Sequence, residues 1–395
     1  MHSVYVWQQQ WSPALATRVG EAREHVDAFM VLAALVDLGH EAARLQLIQV
    51  DWGALARTGR PTWAVLRAHV LKDLDTESGL ERATESLADA AREASAKAQT
   101  AGLALRGIQI DYDCPTEGLA DYVHLMMRLR TRLPELAWSI TALPDWLRQP
   151  EMVALVREID HFVLQAHSLE KPRSINDTSP LCDPQQTSVW VKHASWLDRP
   201  FLVALPTYGY RMFYSAQGEF IGLAAEGNEE TYAARERQVF ADPQEMAGLV
   251  QRLNAAPPPH CRGVTWFRLP VEGDRLNWSW PVLRQVMSGQ SPPLDLHVEV
   301  RTPAANLHEI WLANNSGYQT SKPIRIPVDL IHADLQSFDA LNYFTAETNA
   351  VGEVVAFLGP ASKPGPPIMV AWLRLKPEME DGTSPLKTGS VEIIH

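Results

Sequence analysis

The amino-acid sequence predicts an α/β chain, a (β/α)8 TIM barrel followed by a small all-β, sandwich-like C-terminal domain. Eight short apolar runs within residues 1–290 each precede a helical pattern, which is the strand count of such a barrel. An open, doubly wound sheet would be expected to carry a glycine-rich first turn, and the sequence has none. After residue 290 the pattern changes to short strands separated by Asn, Gly, Ser and Pro, which is typical of an all-β module.

The predicted barrel strands alternate with helices along the chain. The strands are expected at residues 4–8, 29–36, 64–70, 105–113, 138–142, 161–165, 201–205 and 263–268. The helices are expected at residues 14–26, 79–100, 119–133, 150–158, 184–196, 243–253 and 280–287. An additional strand at 45–50 and a turn or short helix at 53–57 precede the third barrel strand. Gly102 is expected to end the helix at 79–100, because glycine readily adopts the left-handed conformation after a helix.

The C-terminal pattern contains five further expected strands. They follow the segment Ser291-Pro292-Pro293 and lie at residues 296–300, 310–313, 324–328, 354–358 and 369–375. We therefore predict two domains. Residues 1–290 are expected to form a barrel domain that carries the catalytic site, and residues 295–378 a β-sandwich-like accessory domain. The last stretch, 379–395, is predicted to be a polar tail.

Composition and charge restrict the expected partners. The formal net charge of −12 and the absence of a basic cluster argue against nucleic acid and against anionic membranes as partners. The apolar run at residues 28–36 is too short to cross a bilayer, so no membrane span is expected. The first 13 residues do not resemble a signal peptide, and the compartment is left open: periplasmic or extracellular if a leader has been removed, otherwise cytoplasmic. Three cysteines form no disulfide framework, and the oligomeric state is left open.

The most informative segment is Gly107-Ile108-Gln109-Ile110-Asp111-Tyr112-Asp113, at the end of the fourth predicted barrel strand. Its period-two alternation directs Gln109, Asp111 and Asp113 to one face. Because buried acids are costly unless they are paired or used, this face indicates the acid centre of a sugar-processing barrel. Asp113 would be the proton donor and Asp111 its helper, since two close carboxylates cannot both ionise easily. The alternative is a structural pair bonded to the backbone or to Arg67.

Further candidate residues come at or just after the ends of other predicted strands, where barrel sites form. The predicted substrate-binding residues are Gln109, Arg67, His69, Trp7, Trp146, Gln165, His167, Tyr208, Tyr210 and Trp266. Each has a structural alternative: core packing for the tryptophans, a salt bridge for Arg67 and a polar core position for His167. Glu219, Glu226, Glu229 and Glu230 predict a solvated acidic loop, one member of which would be a second catalytic carboxylate if the loop closes on the site.

Other chemistries have weaker support in the sequence. No Gly-x-Ser-x-Gly nucleophile motif, phosphate-binding loop or zinc-ligand spacing is present, so no cofactor and no metal are predicted. A metal-dependent barrel hydrolase is kept as an alternative, with Asp111, Asp113, His69 and His167 converging in space as ligands.

With the acid strand in fourth position, the chain resembles the chitinase and endo-N-acetylglucosaminidase type of glycoside hydrolase. That family carries Asp-Gly-x-Asp-x-Asp-x-Glu at this place, and the run Arg106–Asp113 matches it at Gly107 and Asp111 but not at Arg106, Gln109 or Asp113. The seventh strand, LVALPTYG at 202–209, is similar to the family's GlPfYG run. The eighth, GVTW at 263–266, resembles the strand whose tryptophan floors the sugar site. The sixth departs, with QAHS at 165–168 in place of Met-x-Tyr-Asp.

The chain also resembles an uncharacterised bacterial family, a domain of unknown function whose members open on Val-Trp-Gln, as at residues 6–8, and carry an Ile-Asp-Tyr/Phe-Asp run, as at 110–113. Together the resemblances imply a glycoside hydrolase-like protein that acts on a polysaccharide or glycan. In the substrate-assisted version, Asp111 would orient a 2-acetamido group that Tyr208 or Tyr210 steadies. The alternatives are a non-catalytic, lectin-like carbohydrate-binding barrel and a scaffold whose β domain docks a partner.

Overall fold

The computed structural model describes residues 1–39, 44–167, 172, 174–175, 177, 180–224, 233–331, 333–377 and 385–394. The chain divides into two compact units, Met1–Gln290 and Ser291–His395.

The first unit alternates strands with helices. Its strands are β1 (His2–Val6), β2 (Ala28–Asp37), β3 (Arg44–Leu47), β4 (Thr62–Ala68), β5 (Gly107–Tyr112), β6 (Trp138–Ala142), β7 (His161–Gln165), β8 (Phe201–Pro206), β9 (Gly209–Tyr214), β10 (Phe220–Ala224), β11 (Arg235–Phe240) and β12 (Cys261–Phe267). Its helices are α1 (Pro13–Ala22), α2 (Trp52–Ala56), α3 (Glu77–Thr100), α4 (Leu119–Arg132), α5 (Pro150–Leu155), α6 (Pro184–Ala194), α7 (Pro243–Ala255) and α8 (Trp280–Met287).

Eight parallel strands close into a barrel. The order runs β1-β12-β8-β7-β6-β5-β4-β2, and β1 also pairs with β2, which joins the two ends. The predicted (β/α)8 barrel is therefore confirmed. The additional strand β3 pairs antiparallel with β2 outside the barrel. All carboxyl ends of the barrel strands consequently lie at one end, where sites form in this fold.

Local sequence signals explain where the helices begin and end. Ser12, Asp183 and Asp242 each precede a proline, and their side-chain oxygens accept backbone N–H groups of the first turn. Proline suits the first helical position because the N–H that it lacks would have no partner there. Gly102 has a φ of 79° directly after α3 and its C-cap residue, as predicted.

A glycine allows the acid strand to pack closely against its neighbours. A Cβ atom at Gly107 would lie 2.4 Å from the carbonyl oxygen of Ala137 and 2.4 Å from the Trp63 ring. Any other residue at the start of β5 would push β6 or Trp63 away. The six residues of β5 are buried, so the backbone that carries Asp111 is held firmly on both sides.

Apolar side chains fill the barrel interior beside the site. Tyr5, Met30, Trp63, Val65, Val163, Leu202 and Ala204 form one buried cluster, against which Trp7 and Phe267 pack. They come from β1, β2, β4, β7 and β8 and point inward, as alternate residues of barrel strands do.

The long insertion after β8 contains a small sheet of its own. Its three antiparallel strands lie in the order β10-β9-β11. Of the acidic residues predicted in this insertion, Glu219 lies just before β10, and its backbone N–H donates to Ser215 Oγ. Glu226, Glu229 and Glu230 lie outside the described residues.

The described residues of the second unit form strands and turns. The strands are β13 (Leu296–Ala304), β14 (Leu307–Asn314), β15 (Ile324–Leu330), β16 (Ala333–Ala340), β17 (Thr345–Thr348), β18 (Val354–Gly359), β19 (Gly365–Pro377), β20 (Leu386–Thr388) and β21 (Glu392–Ile393). They build two antiparallel sheets, β13-β14-β19-β16 and β17-β18-β15-β20, with β21 also paired to β15. One buried cluster takes side chains from both sheets, including Ile310, Leu373, Ile326 and Phe357. The all-β class predicted for this region is confirmed, and the segment predicted as a tail contributes β20 and β21.

Candidate functional site

A cavity of about 320 Å³ opens at the carboxyl end of the barrel strands. Nine of the residues that the sequence singled out line it, namely Trp7, Arg67, His69, Asp111, Asp113, Gln165, His167, Tyr208 and Tyr210. Several of them come one or two positions after a different barrel strand, which explains how residues far apart in sequence meet here.

The two aspartates share one guanidinium group. Arg67 of β4 lies opposite Asp111 of β5 in the strand register. Arg67 Nη1 donates to Asp111 Oδ2 at 2.9 Å, and Arg67 Nη2 donates to Asp113 Oδ2 at 2.7 Å. Thr141 of β6 donates its hydroxyl to the other oxygen of Asp111, Oδ1, at 2.6 Å. Three neighbouring strands therefore fix the position of Asp111.

The two carboxylates differ in exposure. Asp111 is 5% exposed, whereas the side chain of Asp113 is 45% exposed. Burial raises the pKa of Asp111; Arg67 lowers it, Asp113 raises it further and Thr141 lowers it, and the net direction is upward. Asp113 lines the cavity, and within the described residues no hydrogen bond reaches its second carboxylate oxygen, Oδ1.

Aromatic rings form one wall of the cavity. The ring centroids of Trp7 and Phe267 are 5.0 Å apart, and those of Tyr5 lie 5.8 Å and 5.5 Å from them. The rings meet edge to face, which is a favoured arrangement. Their remaining faces are apolar surface of the kind on which the C–H side of a sugar ring stacks.

A short hydrogen-bonded row adjoins the aromatic wall, because Tyr208 and His167 both contact the Phe267 ring. The hydroxyl groups of Tyr210 and Tyr208 are 2.9 Å apart, and the Tyr208 hydroxyl is 3.4 Å from His167 Nδ1. The His167 ring stacks on Phe267 at 5.2 Å. Burial lowers the pKa of His167 to about 4, although Asp113 opposes the shift. His167 is therefore a neutral ring that orients Tyr208.

Arg268 lies beside the aromatic wall with its charge compensated. Its Nη2 and Nε atoms donate to Asp274 Oδ2 at 2.8 and 3.3 Å. Its backbone N–H donates to Thr207 Oγ1, and the peptide bond between Phe267 and Arg268 is cis. Arg268 is 4% exposed, so it lines the cavity as part of an ion pair.

Three of the predicted binding residues do not line the cavity. Gln109 is fully buried one layer deeper, where it accepts from the Tyr5 hydroxyl at 2.8 Å and donates to Ser139 Oγ at 3.3 Å. Trp146 is buried and donates to the Cys114 carbonyl at 3.2 Å. Trp266 is buried and donates to His2 Nδ1 at 3.2 Å, because on β12 it is the next residue, Phe267, that points into the barrel.

Five polar or aromatic lining residues were not predicted from the sequence, namely Tyr5, Gln9, Thr141, Phe267 and Arg268. Tyr5 lies two positions before Trp7, and Phe267 directly follows Trp266, so a correct assignment of inward faces would have found both. Thr141 lies two positions after Ser139 on β6, which is a similar period-two signal. Arg268 carries no motif that separates it from an ordinary loop arginine.

Two further features are absent from the described part of the chain. No group of three or more His, Cys, Asp or Glu there is arranged to hold a metal ion. No helix there is long and apolar enough to cross a membrane.

Comparison with known protein families identifies the family to which the chain belongs. A family model described as a domain of unknown function (DUF3142) matches residues 58–272, more than half of the 395-residue chain. The chain belongs to the DUF3142 family. The matched segment contains all strands from β4 to β12, and with them Arg67, Asp111 and Asp113. None of the curated proteins matches this DUF3142 chain in sequence.

Solved structures share the fold of this DUF3142 chain. The spore cortex-lytic enzyme SleL of Bacillus megaterium is 11% identical, with a TM-score of 0.52 and 73% of each chain covered. A chitinase of Chromobacterium violaceum is 13% identical, with a TM-score of 0.51, covering 73% of this chain and 98% of that one. At these identities the similarity shows the fold, and it confirms the distant resemblance to chitinase-type barrels.

Proposed function

We propose that this protein binds a glycan in the barrel cavity and cleaves a glycosidic bond there, with Asp113 as the proton donor. The observation that carries the proposal is the acid pair Asp111 and Asp113 at the floor of an open cavity with aromatic walls. Glycoside cleavage needs a proton for the leaving oxygen and negative charge near the oxocarbenium-like centre. A pair of carboxyl groups beside stacking surfaces supplies both.

The two members of the pair suit different parts in this chemistry. Asp113 is the exposed member with a free oxygen, so its carboxyl group is the one that a bound sugar would meet. It would pass its proton to the glycosidic oxygen as the bond from that oxygen to the anomeric carbon breaks. Asp111 is buried and accepts hydrogen bonds from both Arg67 and Thr141. It would therefore hold the two carboxyl groups in position and keep negative charge near the reacting carbon.

The hydrogen-bonded row that includes Tyr210 and Tyr208 would support the second half of the reaction. The Tyr210 hydroxyl lines the cavity and is held by Tyr208, which is oriented in turn by His167. In a substrate-assisted reaction, Tyr210 would steady a 2-acetamido oxygen while it attacks the anomeric carbon. With a substrate that lacks this group, a water molecule would complete the cleavage.

A second candidate function is glycan binding without cleavage. Arg67 contacts both aspartates through direct ion pairs, as a structural salt bridge would, and it lowers the pKa of Asp111 against the larger effect of burial. A proton donor must hold a proton at working pH, so this contact works against catalysis. Aspartate is also one methylene shorter than the glutamate of the resembling enzymes, and a misplacement of about 1 Å costs roughly 100-fold in rate.

The experiment that tests the proposal uses a panel of oligosaccharides with the wild-type protein, Asp113→Asn and Glu117→Gln. Glu117 is an exposed acid four positions further along the same loop and outside the cavity lining, so its variant changes the net charge equally. We expect release of reducing ends by the wild type and by Glu117→Gln, and a loss of at least about 100-fold in Asp113→Asn.

Two results would contradict the proposal. If neither the wild type nor Asp113→Asn releases products while both bind the same glycan, the protein is a glycan-binding barrel. If calorimetry finds no binding to any member of the panel, glycan recognition itself is wrong.

A further inference from the structure

We infer that the glycan taken by this cavity carries a positively charged amine, as a de-N-acetylated amino sugar does. The inference rests on the proposed function, because it names the substrate class of the same site. It comes from the charges and free polar groups of the lining. Neutral and acidic sugars are the two classes that it disfavours.

The cations of the lining are already paired. Both guanidinium groups that the described lining contains have carboxylate partners: Arg67 contacts Asp111 and Asp113, and Arg268 contacts Asp274. Among the described residues, these two guanidinium groups have three carboxyl partners, Asp111, Asp113 and Asp274, so the acidic groups outnumber the basic ones by one. A uronate or a sulfated sugar would have to break one of these ion pairs to find a cation.

One acceptor in the lining is a carboxylate oxygen that receives no hydrogen bond from the described residues. Asp113 Oδ1 has no hydrogen bond within the described residues and lies on a side chain that is 45% exposed. A carboxylate oxygen accepts hydrogen bonds and makes a charge-assisted bond to an ammonium group. A neutral hydroxyl group gains only the hydrogen bond, so the ammonium group is the better partner for this oxygen.

The aromatic wall points to the same class of ligand. The ring centroids of Trp7, Tyr5 and Phe267 lie 5.0 to 5.8 Å apart, and the Tyr208 ring lies 5.4 Å from Phe267 and 5.1 Å from Tyr210. The face of an aromatic ring carries negative potential and attracts a cation, most strongly when water is excluded. These five rings and the Asp113 carboxylate line one cavity, so an ammonium group bound there is attracted by both kinds of group.

The overall charge favours the approach of such a substrate. The chain has a formal net charge of −12. A protein of this charge attracts a polycationic glycan at long range and repels a polyanionic one, an effect that salt screens. The electrostatic attraction within the cavity and the long-range attraction by the whole chain therefore both favour a cationic glycan.

The test is calorimetric binding of three oligosaccharides of equal length to the full chain at pH 6 and low salt. The three are an oligomer of glucosamine, the same oligomer fully N-acetylated, and an oligomer of a uronic acid. We expect the amine to bind at least about tenfold more tightly than the acetylated oligomer, and the uronate to bind most weakly. Added salt should reduce the preference without abolishing it.

Two variants separate the site from the general charge of the protein. Asp113→Asn should lose most of the preference for the amine, whereas Glu117→Gln should keep both the preference and the affinity for the acetylated oligomer. Equal or tighter binding of the acetylated oligomer by the wild type would overturn the inference and leave the proposed function standing, as would an unchanged preference in Asp113→Asn. Absence of binding for all three would instead count against the proposed function.

Discussion

Two groups of hydrogen-bonded polar side chains meet at β5, one around Gln109 and one around Asp111, and their buried polar atoms are satisfied differently. The inner group joins Tyr5, Gln109, Ser139 and His161 through hydrogen bonds of 2.8 to 3.3 Å. The outer group joins Asp111, Asp113, Thr141 and Arg67. Gln109 and Asp111 are two residues apart on β5 and point the same way, yet one is neutral and the other is a carboxylate.

The difference follows from the distance to solvent. Deep in the barrel a charge would be very costly, and the inner group contains neutral partners that satisfy one another. Burial also lowers the pKa of His161 to about 4, which keeps that ring neutral. At the cavity the carboxylates have a guanidinium partner and an open face, so charge is tolerated where a ligand can reach it. The comparison separates polar groups that serve folding from those available for function.

The largest expected effect comes from removing the shared cation. Arg67→Met leaves the buried carboxylate of Asp111 without its partner, and we expect a loss of about 3 kcal/mol in the free energy of unfolding at pH 7. Arg67→Lys should recover only part, because an ammonium group cannot bond both carboxylates in a fork. Urea denaturation measures both variants.

The matched control for this prediction is Arg128→Met. Arg128 also bonds two carboxylates, those of Glu77 and Glu81, but on the exposed surface of α3 and α4. We expect little change there, because solvent screens such contacts. An equal loss in the two variants would mean that the outer group is an ordinary structural ion pair.

The next effect concerns pH. His167 has a pKa of about 4 in the folded protein, against an ordinary value of 6.5. Between pH 6.5 and about 4 the His167 ring is protonated in the unfolded chain but neutral in the native protein. The contribution of the neutral ring to the free energy of unfolding is therefore fully present above pH 6.5 and is lost as the pH falls towards 4. We expect the wild type to lose about 3 kcal/mol more than His167→Gln across this window, measured by denaturation at a series of pH values. Parallel curves for the two proteins would contradict a neutral, buried ring.

The smallest expected effects compare one hydrogen bond from each group. Thr141→Val removes the donor to a charged, buried carboxylate and should cost about 2 kcal/mol in the free energy of unfolding. Tyr5→Phe removes a bond between neutral groups and should cost about 1 kcal/mol. Chemical denaturation at pH 7 gives both values. The reverse order would show that the inner group contributes more to folding than the charged one.

The sequence could predict the features that depend on the periodicity of apolar residues and on the order of strands and helices along the chain. Eight apolar runs in alternation with helices predicted the barrel, and the alternation in β5 placed Asp111 and Asp113 on one side. Parallel strands bring their carboxyl ends together, so Trp7, His167 and Tyr208 could also be placed at one end of the barrel.

What the sequence could not supply is which face of a strand points inward. Trp266 and Phe267 are neighbours on β12, and a shift of one residue exchanges the core for the cavity. Trp146 lies in a turn after β6, where no period applies, and packs on Tyr122. The sheet of β9 to β11 was missed because its strands are irregular in polarity. The double contact of Arg67 depends on register between two strands, which the sequence leaves open.

A structure of the protein with a bound oligosaccharide tests the central claim most directly. The account predicts a sugar ring stacked on Trp7 or Phe267, and a polar atom of the ligand within about 3.2 Å of Asp113 Oδ1. A ligand bound outside the barrel, with the Arg67 ion pairs unchanged and the cavity holding only solvent, would contradict it.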